Sequence, residues 1–445
     1  MGKRRRLWLA VMMASTALTL AVSGVAVAAE PAVPDTVVYA GALIDGVTFA
    51  PRRQVTILVH EGKVAAVEAG YVAHPGATII DLKDQTVLPG LIDCHVHIAS
   101  KLPSQANAVE DMVTHSAVDA VLDGAVFARA MLLQGFTSAR DVGGGDDTVS
   151  LRNAIDAGKV PGPRLWVSLE PLGPTGGHGD PSNGFDSRLH HPDWQNGIVD
   201  TPDMARLRVR EHHKRGANLI KIMPSGGIAS TGDDPRAQLM TNEEIKAAID
   251  TAHALGMKVA AHTYPAQAII NTVNAGVDSI EHGSFADADA VKAMKAHGTY
   301  LVPTLTVYDV FMKAAQEHPE LLPPGTAEKE LANDAIPKRN LPLAYKAGVK
   351  IAYGTDIGEG DHAREFALLA EAGVTPADAL SFATRNAADL IGAADRIGTV
   401  QPGRYADLIA VAGDPLSHLE LMEQVRFVMK GGVVYKADGH PVALP

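Results

Sequence analysis

One cysteine in 445 residues, Cys94, leaves the chain with no possible internal disulfide. Stability must come from a packed core, which a 46% hydrophobic composition can supply. Low-complexity tracts are also missing: the 42 glycines and 27 prolines are spread along an ordinary globular sequence. Positive charge is scarce too. Lysine and arginine number 39 against 51 acidic residues, a formal charge of −12. An acidic chain of this kind is a poor nucleic-acid binder. Length alone fits two or three domains, or one large α/β barrel with additions.

Much of that positive charge sits in a segment expected to be removed. "MGKRRR" is a basic start, the next 23 residues are uncharged, and Ala26-Val27-Ala28 is a small-x-small cleavage pattern. Residues 1–29 therefore read as an export leader cleaved near Ala28 or Ala29, for a periplasmic or secreted product without a stable membrane anchor. Arg4-Arg5-Arg6-Leu7-Trp8 loosely fits a twin-arginine signal. Loss of Lys3 and three arginines leaves 35 basic against 51 acidic residues, a charge of −16.

Residues 30–88 alternate apolar and polar positions in short runs broken by Gly and Asp, a small β layer. The texture then changes. "GLIDCHVHI", "GFTSARDVG", "RLWVSLEPLG", "NLIKIMPSGG", "KVAAHTYP", "SIEHGS", "YLVPTLTVY" and "KIAYGTDIG" are eight apolar runs separated by helical patterns. Eight such repeats predict an α/β fold, a (β/α)8 TIM barrel over residues 89–395. Residues 309–347 form a long excursion before the eighth run that would cover the barrel mouth. Short strands return over 396–445, so the barrel is expected to be inserted in a small β-sandwich domain built from both chain ends.

Within "GLIDCHVHI", alternation along a strand puts His95 and His97 on one face and Cys94 with Val96 on the other. Paired imidazoles are a natural metal grip, and Cys94 reads as a buried packing thiol. Lys221, His262, His282 and Asp356 stand at the C-terminal ends of later runs, the face where barrel enzymes do chemistry. Singly, each has a structural explanation as a snorkelling lysine, a core histidine or a helix cap. Six together, in this order, point to a metal centre. Four histidines and an aspartate suit zinc, and they are too many for one tetrahedral ion with an open position. Lysine joins such a set only as a carbamate formed from its neutral amine and CO₂.

"PGLIDCHVH", "IKI", "AAHTY", "SIEHGS", "GTD" and "IGTVQPGRYADLIAV" resemble the signatures of the metal-dependent amidohydrolase superfamily over nearly the whole exported chain. The resemblance implies two divalent ions, most simply Zn²⁺: His95, His97 and Asp356 on one, His262 and His282 on the other, with carboxylated Lys221 bridging. "GKVPGPRLWVSLEPLGPTGGHGD" and "IKIMPSGGIAS" are similar to the prolidase-like (Xaa-Pro dipeptidase) and ochratoxin-hydrolysing branch. That likeness adds His178 as an active-site residue. Tyr264, two positions after His262, shares its face; Arg140 and Ser100 follow the second and first runs and are expected to line the pocket.

The chemistry so implied is metal-assisted hydrolysis of an amide to an amino acid, as in an N-acyl amino acid, an Xaa-Pro dipeptide or ochratoxin A. Asp356 would serve as general base and then acid. A homo-oligomer acting on a small molecule is expected. A lactonase or cyclic-amide hydrolase would use the same centre. A non-catalytic scaffold relative would be expected to have lost ligands, and all six are present.

Overall fold

The computed structural model describes residues 35–103, 105–333 and 336–443, so the expected leader lies outside the described residues. Both chain ends contribute to one eight-stranded sheet. Its N-terminal strands are β1 (Thr36–Leu43), β2 (Arg52–His60), β3 (Lys63–Ala69) and β4 (Thr78–Pro89). β1 pairs antiparallel with β2 and parallel with β4, while β13 (Leu408–Val411) pairs antiparallel with β4. β14 (Phe427–Lys430), β15 (Val433–Ala437) and β16 (His440–Pro441) complete the order β16-β15-β14-β13-β4-β1-β2-β3. Val38, Leu43, Ile57, Val87, Leu408 and Phe427 form a core of their own under this sheet.

The middle of the chain is a mixed α/β arrangement of parallel strands. β5 (Leu91–Val96), β6 (Phe136–Asp141) and β7 (Arg164–Val167) form one parallel sheet. β8 (Leu219–Ile222), β9 (Lys258–Pro265), β10 (Ser279–Phe285), β11 (Tyr300–Val302) and β12 (Lys350–Ile351) form a second, in order. Parallel bridges Leu172↔Ile222 and Val96↔Ile357 link the two sheets on both sides. Every residue of β5, β6 and β8 is buried, which explains why these segments read as runs and not as alternations. Helices α1 (Ala108–Thr114) and α2 (Ala117–Leu133) connect β5 to β6.

The seventh run is shorter than its sequence implied. "YLVPTLTVY" reads as one apolar segment, but β11 stops at Val302 and a helix runs Leu305–Glu317. Pro303 has no N–H for a ladder, and Thr304 turns the chain with φ 51°. The buried carboxyl of Glu365 then accepts the N–H groups of Leu305 (2.9 Å) and Thr306 (2.7 Å), capping the helix from a distant element. The excursion continues as helices Thr326–Asn333 and Ile336–Ala347. It docks on the loop after β8, where Lys329 donates to the carbonyls of Gly227 and Ser230 and to Asp233.

Burial pushes the Glu365 carboxyl up from 4.5 to about 8, outweighing its hydrogen bonds. Between those values the unfolded chain releases this proton while the folded chain keeps it, so stability falls as pH rises through the window. Glu365→Gln removes that dependence. Thermal melts of wild type and variant across pH 5–9 should show a smaller loss of Tm with rising pH in the variant; parallel curves would place the dependence on other groups.

Candidate metal centre

The six ligand-type residues converge at the C-terminal ends of the parallel strands. His95 and His97 lie on one face of β5 and just beyond it, with ring centroids 5.6 Å apart. The ring of His95 is 5.1 Å from that of His282, which is 4.8 Å from that of His262. Asp356 Oδ1 lies 3.1 Å from His95 Nε2 and 2.9 Å from His97 Nε2, and Lys221 Nζ is 3.5 Å from His95 Nε2. His95, His282 and Asp356 present ligand atoms all within 4.8 Å of one another. His95, Lys221, His262 and His282 are buried, while the side chain of His97 is 27% exposed, so the cluster opens on that side. Val96 and Cys94 are buried on the opposite face; the Cys94 thiol lies 3.8 Å from the Ala387 carbonyl, and burial pushes its pKa upward.

Each imidazole has one nitrogen committed to an acceptor. His95 Nδ1 meets the Glu281 carboxylate at 2.7 Å, and His97 Nδ1 meets the Gly143 carbonyl at 3.2 Å. His262 Nε2 lies 3.1 Å from the Gly226 carbonyl. His282 Nδ1 lies 2.7 Å from Thr304 Oγ1, whose own hydroxyl donates to the Pro303 carbonyl. Carbonyls, a carboxylate and a hydroxyl already used as a donor can only accept, so in the neutral rings these nitrogens carry the proton. The other nitrogen of each ring is therefore a lone pair. Four lone pairs beside a carboxylate are a donor set for cations, and this chemistry fits divalent metal.

The electrostatics divide the four rings into a neutral pair and a pair that faces Asp356. Burial drives His262 and His282 well below the usual histidine range, which keeps them neutral. Asp356 is mostly buried, but the positive charge that His95 and His97 carry when protonated, with Nε2–H facing Oδ1, overrides that penalty and holds it ionised. His97 goes the other way. Burial lowers its pKa, yet contact with Asp356 leaves a net rise, so this spot attracts positive charge. Burial brings Lys221 down to about 8, where a usable fraction is free amine.

Backbone strain marks the same places. His282 (φ 66°) and Asp356 (φ 63°) adopt left-handed geometry without being glycine, at a cost of about 1–3 kcal/mol each. Asp93 anchors the second of these by accepting from the Thr355 hydroxyl (2.6 Å) and the His95 N–H (3.0 Å), and His362 lies 3.0 Å away. At Gly143 and Gly227 the backbone comes so close to the His97 and His178 rings that a Cβ would sit 2.5 and 2.2 Å from ring atoms. Glycine is required at both.

The expected pocket residues divide. His178 stacks on His262 with centroids 4.2 Å apart, and Tyr264 lies 4.6 Å from His262 because β9 continues through Pro265. Burial lowers His178 to about 4, so it is neutral at pH 7. Its Nδ1 faces Ser230 Oγ at 2.7 Å, and that hydroxyl donates to Asp233. The proton is thus on Nδ1, and Nε2 is an acceptor. Ser100 is exposed beyond His97, where its carbonyl accepts the Glu359 N–H at 2.9 Å.

Arg140 is not a pocket residue. Its fully buried guanidinium donates to Glu281 (2.8 and 3.0 Å), to Ser279 Oγ (3.0 Å) and to the Cys94 carbonyl, which consumes its donors beneath His95. Alternation along β6 points it inward. Glu281 was missed: it directly precedes His282, and simple strand alternation gives no reason to expect both side chains at one site. Arg140 keeps Glu281 ionised against a large burial penalty. A cation on the pocket side was also missed: Arg236 lies 5.2 Å over the Phe285 ring, which meets Tyr264 edge-on at 5.8 Å.

Strand-end histidines and an aspartate form a site that could hold a metal ion, as hydrolases of parallel-stranded folds do, and the model of the amidohydrolase family matches residues 86–435. The chain belongs to that family and is a hydrolytic enzyme acting on amide bonds. Among its relatives, ochratoxinase of Aspergillus niger is 31% identical over 439 residues, which cover 91% of this chain and 87% of that protein. The crystal structure of a Xaa-Pro dipeptidase with methionine bound in the active site is 33% identical with a TM-score of 0.86, covering 90% of this chain and all of that one. A prolidase complexed with N-methylphosphonate-L-proline is 34% identical at a TM-score of 0.84, covering 90% and 99%.

Glu281→Gln removes the charge that holds both His95 and Arg140. Metal affinity should fall by about 10–100-fold, the range for losing an outer partner of a ligating histidine. Competition titration with a chromogenic chelator reads this directly. Unchanged affinity would make Glu281 a purely structural partner of Arg140.

Proposed function

We propose that the chain is a binuclear-metal amidohydrolase that splits an amide joining an acyl or aminoacyl group to an amino acid with a free carboxylate. The observation that carries this reading is the convergence of four histidine lone pairs on Asp356 and Lys221. His95, His97 and Asp356 would hold one divalent ion, His262 and His282 the other, with carboxylated Lys221 shared; zinc suits these donors best. The metals would supply Lewis-acid polarisation of the scissile carbonyl and a water that ionises near neutral pH.

The residues of this chain do the rest. Asp356 Oδ1, ionised and within 3.1 Å of two ligand rings, accepts the proton of the attacking water and returns it to the departing amine. His178 Nε2 accepts from an N–H of the substrate and cannot itself receive a carboxylate. The carboxylate falls instead to Arg236 on the other wall, where the Tyr264 hydroxyl is already hydrogen-bonded to Tyr308. An amino-acid half is supported by the similar dipeptidase and prolidase structures, which carry methionine and an L-proline phosphonate. Ochratoxin A, hydrolysed to its acid and phenylalanine, is a second substrate supported by the ochratoxinase relative.

The same reading closes the parallel strands of 89–395 into a (β/α)8 barrel set in a β-sandwich of residues 30–88 and 396–445. It takes 1–29 as an export leader.

Lys221→Ala tests the metal bridge. After incubation with zinc and bicarbonate, elemental analysis should give two equivalents of metal in wild type and at most one in the variant. Two equivalents in both would remove Lys221 from the centre.

The substrate reading is tested by comparing kcat/KM for an Xaa-Pro dipeptide or acyl-phenylalanine with that of its C-terminal amide. Loss of a charge-assisted hydrogen bond costs about 1.5–3 kcal/mol, so the amide should be slower by roughly tenfold to over a hundredfold. Equal values would favour a lactonase or cyclic-amide hydrolase on the same centre.

A further inference from the structure

The helix α2 is out of place chemically. Of its 17 residues, only Asp119, Asp123 and Arg129 are charged, a composition that belongs in a protein interior. Yet it lies on the surface. Val118, Leu122 and Val126, at i, i+4 and i+8, are 62–69% exposed and form one stripe. The preceding helix α1 adds exposed Met112 and Val113. Scattered exposed aliphatics need no explanation, but five on two consecutive helices do.

The opposite side of α2 is packed against the metal-bearing loops. Gly124 is buried against Ala99, two residues after His97, and against Leu151. Gln134, which ends the helix, donates to the Gly360 carbonyl and accepts the His362 N–H, both at 2.9 Å. Lys101 ties the loop after His97 to Asp111 of α1 (3.3 Å) and Asp123 of α2 (3.5 Å). The helix thus packs against the loops that follow His97 and Asp356 on one side and presents a bare apolar stripe on the other.

We propose that the α2 stripe is the contact face of a two-fold dimer, occupied by α2 of a second copy of this chain. Charge argues for this occupant. The chain carries −12, so two copies repel wherever their ordinary surfaces meet. A two-fold axis brings identical residues together, and a stripe without charge is the one kind of face that escapes like-charge opposition. Of the two acids at its margin, Asp123 is paired with Lys101 and Asp119 is held by Ser116 in the cap at the start of the helix.

Area agrees as well. With Val109, six exposed apolar side chains on the two helices make a patch on the order of several hundred Å², within the roughly 300–600 Å² seen on monomers. Doubled across a two-fold axis, it approaches the ~1,000 Å² that a specific interface needs. A lipid surface is the poorer occupant, since the stripe is flanked by Asp119 and Asp123 and not by a row of lysines.

Light scattering after size exclusion of the purified protein should give at least twice the 46.7 kDa chain mass. Leu122→Glu/Val126→Glu should give half the wild-type mass, with an unchanged circular dichroism spectrum. Leu122→Ser/Val126→Ser serves if the glutamates prevent folding, and Leu207→Glu, an exposed leucine elsewhere, should leave the mass unchanged. A monomeric wild type, or a folded stripe variant that keeps the wild-type mass, overturns the proposal. So does a monomer that co-sediments with neutral or anionic phospholipid vesicles through the same residues, which would assign the stripe to a membrane surface.

Discussion

Four imidazoles and a carboxylate crowd together, His95, His282 and Asp356 with ligand atoms all within 4.8 Å of one another, and the carboxylate is stable there only with positive charge beside it. That is the constraint on which the rest of the molecule depends. Water reaches only the His97 side, because His95, His262 and His282 are buried and Asp356 nearly so. Protonation supplies only part of the charge, because burial keeps His262 and His282 neutral. Outer partners hold the arrangement in place. Glu281, Gly143, Gly226 and Thr304 fix the proton on the far nitrogen of each ring. Removing any of them frees a ring to turn its N–H inward and spoil a ligand.

The backbone meets the same demand. A regular strand end points alternate side chains inward, but it cannot bring a histidine and an aspartate from different strands onto one point. Left-handed turns at His282, Thr304 and Asp356 re-aim the side chains. The strain persists because the surroundings over-determine it. Asp93 accepts from the backbone of His95 and from Thr355, and the Asp356 N–H donates to the His95 carbonyl at 2.7 Å. The first and eighth strand regions are therefore locked together where their ligands meet.

Much of this was legible in residues alone. His95, His97, Lys221, His262, His282 and Asp356 each follow an apolar run, and an apolar run is a local signal that survives without knowledge of partners. The parallel strands were readable for the same reason. Arg140 shows where such reading stops. Its position after a strand placed it near the site, but only three-dimensional packing reveals that Glu281 waits beneath His95 to consume its charge. Thr304 and Glu365 were invisible for a related reason: one acts through an unusual φ, the other caps a helix about 60 residues earlier in the chain. Arg236 lay hidden in a loop with no periodicity to read.

The lining of the pocket follows from proton positions more than from residue types. A histidine beside such a centre could serve as a donor to an anion, but His178 is arranged otherwise. Its Nδ1 proton is spent on Ser230 because Ser230 spends its own on Asp233, and Lys329 holds Asp233 in place from the excursion helix. Ser230 and Asp233 in the loop after β8, with Lys329 on the helix docked on it, thus decide that His178 accepts and does not donate. On the proposed reading a substrate carboxylate would then go elsewhere, to the aromatic wall of Tyr264 and Phe285 where Arg236 lies. Specificity would be set as much by the loop after β8 and the helix docked on it as by the groups that touch the substrate.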